Sequence, residues 1–293
     1  MIDSLLLRHC FAVAICLLGL PAFAQLADKL PAMPDYLGEI RRGPDGSLRA
    51  VPEDARSRPV PRAATLRVGL GEDVRSIGEA ARLAKDGDVV EIRAGAYRGQ
   101  PAVWTQNDLI IRGVGDTRPV MIADGKSAEG KAIWVIRGGK VTVENIEFRG
   151  AQVPDRNGAG IRLEKGSLTV RSCAFIANET GILTANQPEI SLEVSGSEFA
   201  DTPRTREAFH HQLYVGAIGK FVLRGSRFHN GFNGHLVKSR ARESHVLYNL
   251  LVDGGDGQAS YELEFPNGGI AYVIGNAIGQ GPRTENPVMV AYG

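Results

Sequence analysis

The residues best suited to chemistry in this 293-residue chain crowd into one window near its C-terminal end. Five of the six histidines, His210, His211, His229, His235 and His245, fall there. Between Arg204 and Arg242 stand eight lysines and arginines against one acid, Glu207. The segment that follows turns acidic, with Asp253, Asp256, Glu262 and Glu264. Formal net charge is only +1, so no global field points to nucleic acid or a membrane surface. The sorting of charge is local, and so is the chemistry it suggests.

A surface of His, Tyr, Lys, Arg and Glu suits an acidic carbohydrate. Arginine and lysine hold carboxylates, arginine bidentately, and a tyrosine ring can stack on a sugar. Lytic cleavage of a uronate needs a cation at the carboxylate, a base for the C5 proton and an acid for the leaving oxygen. Lys238, Arg240, His235 and Tyr214 are the catalytic candidates, because these types serve as acid or base once their environment tunes them. Lys238 is the first choice as base. His211, Gln212, Glu262 and Glu264 are the candidate substrate contacts. The same residues also read as a solvated basic face on a repeat protein without activity.

Other chemistries find less support. Cys173 is the one cysteine after residue 24, at a strand position where a small buried hydrophobe is expected rather than a nucleophile. No pair of carboxylates is spaced for glycoside hydrolysis. Asp253, Asp256, Glu262 and Glu264 are oxygen donors that suit Ca²⁺, but their spacing resembles no dedicated loop, and no metal ligand is assigned.

The elements that must position these residues show a repeat. Short β-branched runs, each followed by small polar residues, close on Phe148, Phe175, Phe199, Phe228, Leu251 and Ile278, at steps of 27, 24, 29, 23 and 27. A period in the twenties built from strands and turns marks a solenoid, here an all-β right-handed parallel β-helix. In such a fold, equivalent residues of successive coils stack about 4.8 Å apart. Counting back 15 residues from the last three closing positions gives Leu213, Leu236 and Leu263 as an inward row. Gln212, His235 and Glu262 then form one outward row, and Tyr214, Val237 and Glu264 the next.

Before the repeat, the chain divides into two further stretches. Residues 1–24 read as a secretory signal: Arg8 and His9, an apolar run from Cys10 to Leu20, and a small-residue cleavage pattern ending at Ala24. The expected location is periplasmic or secreted. No later stretch approaches the roughly 18 apolar residues of a membrane-spanning helix. Residues 25–64 are rich in proline and arginine and read as an extended leader or linker. The repeat domain is expected over 65–293, opened by a short capping helix around Ile77, Ala80, Ala81 and Ala84. Residues 287–293 look like the first strand of another coil rather than a polar cover.

The stretch 74–99, a helix, a Gly-Asp-Val-Val-type strand and a Gly-x-Tyr-x-Gly turn, resembles the N-terminal cap of the pectin-lyase-like superfamily. With the repeats, the resemblance covers roughly residues 65–293. It implies the right-handed parallel β-helix but no single activity, because that superfamily holds lyases, hydrolases, esterases, epimerases, tailspikes and adhesins. Residues 233–239 are similar to the segment carrying the catalytic lysine of the chondroitinase-B and alginate-lyase family. That likeness implies a base at Lys238, an arginine acid about a coil later, and a Ca²⁺ ion held by Asn and Glu. Lys238 alone maps: Gly231, Phe232 and Asn233 stand where carboxylates are expected, and Ala259 where the arginine would be. The function expected is thus an exported β-helix that binds, and cleaves or epimerises, an acidic polysaccharide, the alternative being a non-catalytic envelope, surface or adhesion solenoid.

Overall fold

The computed structural model describes residues 64–293 except 285, together with two short strands, Ile40–Arg42 and Leu48–Ala50. The expected signal, and the leader apart from those strands and residue 64, lie outside the described residues. The two short strands pair antiparallel.

From Thr65 the chain winds into a parallel β-solenoid of about eight turns, right-handed as parallel crossovers are. Its walls are three sheets of nine, eight and eight strands, in which each strand pairs in parallel with its counterpart one turn on. One wall is built wholly of three-residue strands and carries the closing residues of the repeat. Phe148, Phe175, Phe199, Phe228, Leu251 and Ile278 stand in a single register row. The four phenylalanines stack face to face, at centroid spacings of 5.2, 4.6 and 4.4 Å. Offset stacking is a favoured aromatic arrangement, so the row adds to the burial of each ring. Trp104 and Trp134 continue the column edge-on toward the N-terminal end.

The small polar residues of the repeat have a structural cause. Asn145, Ser172, Gly196, Gly225, Tyr248 and Gly275 occupy one turn position and all have φ between 51° and 67°. The left-handed region favours glycine and asparagine, which explains the composition there. The next position turns its side chain inward and links coils. Ser197 Oγ accepts from Cys173 N, Ser226 Oγ from Ser197 N, Asn249 Oδ1 from Ser226 N, and Asn276 Oδ1 from Asn249 N. Cys173 is buried in this row, and burial pushes its thiol up to about 12, which suits packing and not nucleophilic attack.

One helix, Ile77–Leu83, lies near the first coils. Ser76 accepts from the Glu79 amide at its start, and Gln106 Nε2 donates to the Ala81 and Ala84 carbonyls at its end. Ile77 and Ala80 are fully buried in the core. At the other extreme, Val290–Tyr292 pairs in parallel with Tyr261–Phe265.

Candidate functional site

The third sheet positions the candidate site, through the strands Leu213–Val215, His235–Ser239 and Tyr261–Phe265. Its register places Leu213 beside Val237 and Leu263, and Tyr214 beside Lys238 and Glu264. His235 pairs with Tyr261. The rows expected from the sequence are therefore off by one residue in the middle coil. Val237, not Leu236, belongs to the inward row, and Lys238, not Val237, stands between Tyr214 and Glu264. The reason is a turn length. Four residues separate Val215 from Lys220 and Phe265 from Ile270, but only Arg240, Ala241 and Arg242 separate Ser239 from Glu243. A count of fixed length crosses that shorter turn and slips.

Two other candidates lie off the surface, and not because of the slip: Leu213 and Leu263 keep their expected inward places, but the residue just before each is buried as well. Gln212, Leu236 and Glu262 fall at the position that Gly160 and Gly181 fill in earlier coils, where a Cβ would press on the phenylalanine stack. Gln212 and Glu262 are 4% and 0% exposed, so they do not join His235 as an outward row of substrate contacts. Gln212 Nε2 instead donates to the His229 carbonyl. Burial, with Asp253 nearby, pushes the Glu262 carboxyl up to about 7.

The remaining six candidates converge. Lys238 Nζ and His235 Nδ1 each lie 2.9 Å from the same oxygen, Glu264 Oε2. Lys238 also stands 6.0 Å over the Tyr214 ring. Arg240 Nε donates to the Tyr214 hydroxyl at 3.0 Å, and its other arm donates to Asn267 Oδ1 at 2.8 Å. His211 packs between the rows, 5.3 Å from the Tyr214 ring and 4.6 Å from that of His235. Tyr261 closes the far side of His235 at 5.0 Å. Gly234 makes the approach of these coils feasible, since a Cβ there would sit 1.8 Å from the His210 carbonyl oxygen.

The histidines are held neutral. Burial takes His235 down to about 4, Glu264 opposing and Lys238 adding to the shift. His211 lies well below its ordinary value through burial and then repulsion from His235 and Lys238. The patch thus combines a lysine and an arginine, one acid, two neutral imidazoles and a phenol whose oxygen faces a guanidinium. Such a set can bind an anion and transfer a proton.

Asn267 and Tyr261 are the participants that the sequence reading missed. Tyr261 stands opposite His235 one coil on, so correct register is the signal that finds it, whereas Asn267, in the turn after the same strand, is found only from its hydrogen bond to Arg240. A calcium site does not fit. Both Asp253 oxygens accept from the Gly231 and Ala259 amides, Glu262 is buried elsewhere, and Glu264 is taken by Lys238 and His235. Among the described residues no cluster of His, Cys, Asp or Glu has a metal-binding arrangement. No described helix is long and apolar enough to cross a membrane. No protein-family model matches the chain, and no curated protein matches its sequence.

Proposed function

We propose that the face formed by Tyr214, Lys238, Glu264, His235, His211 and Arg240 binds an acidic, uronate-containing polysaccharide and cleaves it by β-elimination. The observation that carries this reading is the row of Tyr214, Lys238 and Glu264, with Arg240 and His235 touching its two ends. Arg240 receives the uronate carboxylate. Lys238, once it has passed its proton to the neighbouring Glu264–His235 pair, takes the C5 proton. The C5–H electron pair becomes the C4=C5 double bond, the C4–O4 bond breaks, and O4 leaves with the Tyr214 proton. All these groups lie on one face of the sugar. That favours elimination over epimerisation, which needs a proton donor on the opposite face.

The parallel coils support membership of the pectin-lyase-like superfamily, and Lys238 carries the likeness to the chondroitinase-B and alginate-lyase family. Here the acid role moves from an arginine a coil later to Tyr214, because the residue stacked on Lys238 is Glu264. The apolar run and small-residue pattern of residues 1–24 support export to the periplasm or beyond, and a mature N-terminus at Gln25 is the check.

A second reading is favoured by the ion pairs elsewhere on the solenoid. Arg112–Glu91, Arg171–Glu144, Arg224–Glu193 and Lys220–Glu243 also join residues on neighbouring strands. Lys238–Glu264 is then one more rung, in a non-catalytic envelope or adhesion module. The assay that separates the two follows the ultraviolet absorbance of the unsaturated product on alginate, pectate, hyaluronan and chondroitin. Absorbance that rises with wild type and not with Lys238→Ala supports the lyase. No rise on any of the four sinks it.

A further inference from the structure

Beside the histidines lies a cavity of about 160 Å³ that the proposed chemistry does not use. Its floor is the corner of two coils, at Phe232, Asn233, Gln258 and Ser260, and its outer wall is Arg206 and Phe209. Asn233 comes two residues before His235, and Ser260 immediately precedes Tyr261, so the cavity lies at the start of the strands that carry the candidate site.

The outer wall is built rather than draped. The loop of residues 203–211 leaves the coil of Glu198–Ala200, passes over the next coil and reaches the one beyond. Arg204 donates to the Asp256 carbonyl at 2.6 Å and lies 5.6 Å over the Phe232 ring. Asn233 Nδ2 donates to the Ala208 carbonyl at 3.0 Å, and Arg156 pairs with Glu207. His211 then accepts from the His235 amide at the site itself. Phe209 is 71% exposed between these ties, a large apolar ring held at the mouth of a polar cavity.

We propose that this cavity is a subsite for the terminal sugar of the bound polysaccharide, so that the protein engages its ligand by a chain end. The inference rests on the uronate reading of the adjacent face. Size sets the occupant: roughly 300–1,000 Å³ holds a drug-sized ligand, whereas this space suits one pyranose ring. Composition agrees. Aromatic rings offer a face to sugar C–H groups, and Asn233, Gln258 and Ser260 offer hydrogen bonds to hydroxyls. Strand rise places Lys238 about 10 Å beyond His235, the first residue of its strand. A sugar in the cavity therefore leaves a linkage a few units inward over Tyr214 and Lys238. Arg204, held over Phe232 and bonded to the Asp256 carbonyl, stands beside the cavity at the corner, where it would hinder a chain continuing past it.

The test compares binding of each of the four polymers, and of short oligosaccharides prepared from whichever polymer wild type retains, by calorimetry. Phe209→Ala removes an exposed ring and leaves the fold intact. Ser260→Trp fills the cavity, with circular dichroism to confirm the coil. The expected result is that wild type binds oligosaccharides more tightly than the same mass of polymer. Both variants should lose about tenfold or more on oligosaccharides. Polymer retention through Lys238 and Arg240 should change less. Equal oligosaccharide binding by wild type and both folded variants overturns the subsite while leaving the face reading intact. Wild type that retains none of the polymers or oligosaccharides overturns both.

Discussion

His211 Nδ1 accepts a hydrogen bond from the backbone amide of His235 at 3.0 Å. A ring nitrogen that accepts cannot carry a proton, so the bond fixes His211 as the neutral tautomer protonated on Nε2. One bond thereby couples a charge state to the join between two coils. It ties the loop of residues 203–211 to the strand that holds Lys238. Protonating His211 breaks that tie and places a charge beside Lys238 and Arg240.

Acid should therefore loosen the protein through this histidine. Its folded pKa is depressed below the unfolded value of about 6.5. The unfolded state takes up a proton that the folded state refuses, so stability is complete above pH 6.5 and falls as pH drops below it. The loss steepens to at most about 1.4 kcal/mol per pH unit for one such group. His211→Ala should be less stable at pH 7.5 and show a shallower fall between pH 6.5 and about 4.5. Urea midpoints across that range are the measurement, and parallel curves for the two proteins contradict the account.

Glu262 carries the opposite sign. Its folded pKa stands near 7 against 4.5 for the free group, because burial disfavours the carboxylate. The folded state keeps a proton that the unfolded state has lost, so stability is full below pH 4.5 and declines until pH passes 7. Glu262→Gln, neutral at every pH, should match wild type near pH 4.5 and exceed it by about 3 kcal/mol at pH 8. Chemical denaturation at the two pH values checks this. An equal difference at both shows that the charge is not the cause.

Lys238 and Glu264 pull on His235 in opposite directions, and that can be read directly. The ammonium lowers the imidazole pKa and the carboxylate raises it, with burial underlying the value of about 4. Lys238→Ala removes the lowering charge and keeps the carboxylate 2.9 Å away, so His235 should titrate higher. Glu264→Gln should move it lower still than wild type. Imidazole resonances followed by NMR across pH 3 to 8 report both. Shifts of the same sign in the two variants rule out the shared-oxygen arrangement.

The fold was legible in the sequence because its signal is repeated. Phe148, Phe175, Phe199 and Phe228 recur with the turn that follows each long strand, and the core demands them in every coil. The site was legible only in part. Lys238, Arg240, His235, Tyr214, His211 and Glu264 were found by type, since charge on a solenoid face stands out against apolar beats. Their neighbours were not found, because register depends on every turn between them. The three-residue turn at Arg240, Ala241 and Arg242 displaced one strand by a residue and exchanged Leu236 for Val237. Gln212 and Glu262 were misplaced for a separate reason, since the position before the inward row is itself buried and simple alternation does not hold there.

The position those two residues share makes a packing prediction. At Gly181 a Cβ would stand 2.5 Å from the Gln212 carbonyl oxygen and 2.6 Å from a Phe199 ring carbon. Backbone cannot yield as a flexible side chain does, and Phe199 is stacked on both faces. Gly181→Ala should cost about 1–3 kcal/mol, as overpacking does. Gly255→Ala, which meets nothing within 4 Å, should stay within about 0.5 kcal/mol. Denaturant midpoints of the pair decide it, and equal values for both mean that the corner can relax.

Tyr214 separates a catalytic face from a merely charged one. Its hydroxyl accepts from Arg240 Nε, which holds the oxygen in place and leaves the hydroxyl proton free to be donated. Its ring packs beside His211 independently of that hydroxyl. Tyr214→Phe keeps the ring and removes the proton. If Tyr214 protonates the leaving oxygen, elimination should fall by about 10²–10⁴-fold, the range typical of a lost general acid, with KM little changed. Polymer retention should persist, since Lys238 and Arg240 remain. A Tyr214→Phe enzyme that still eliminates at the wild-type rate assigns the acid to another group. A fall confined to KM makes Tyr214 a binding residue instead.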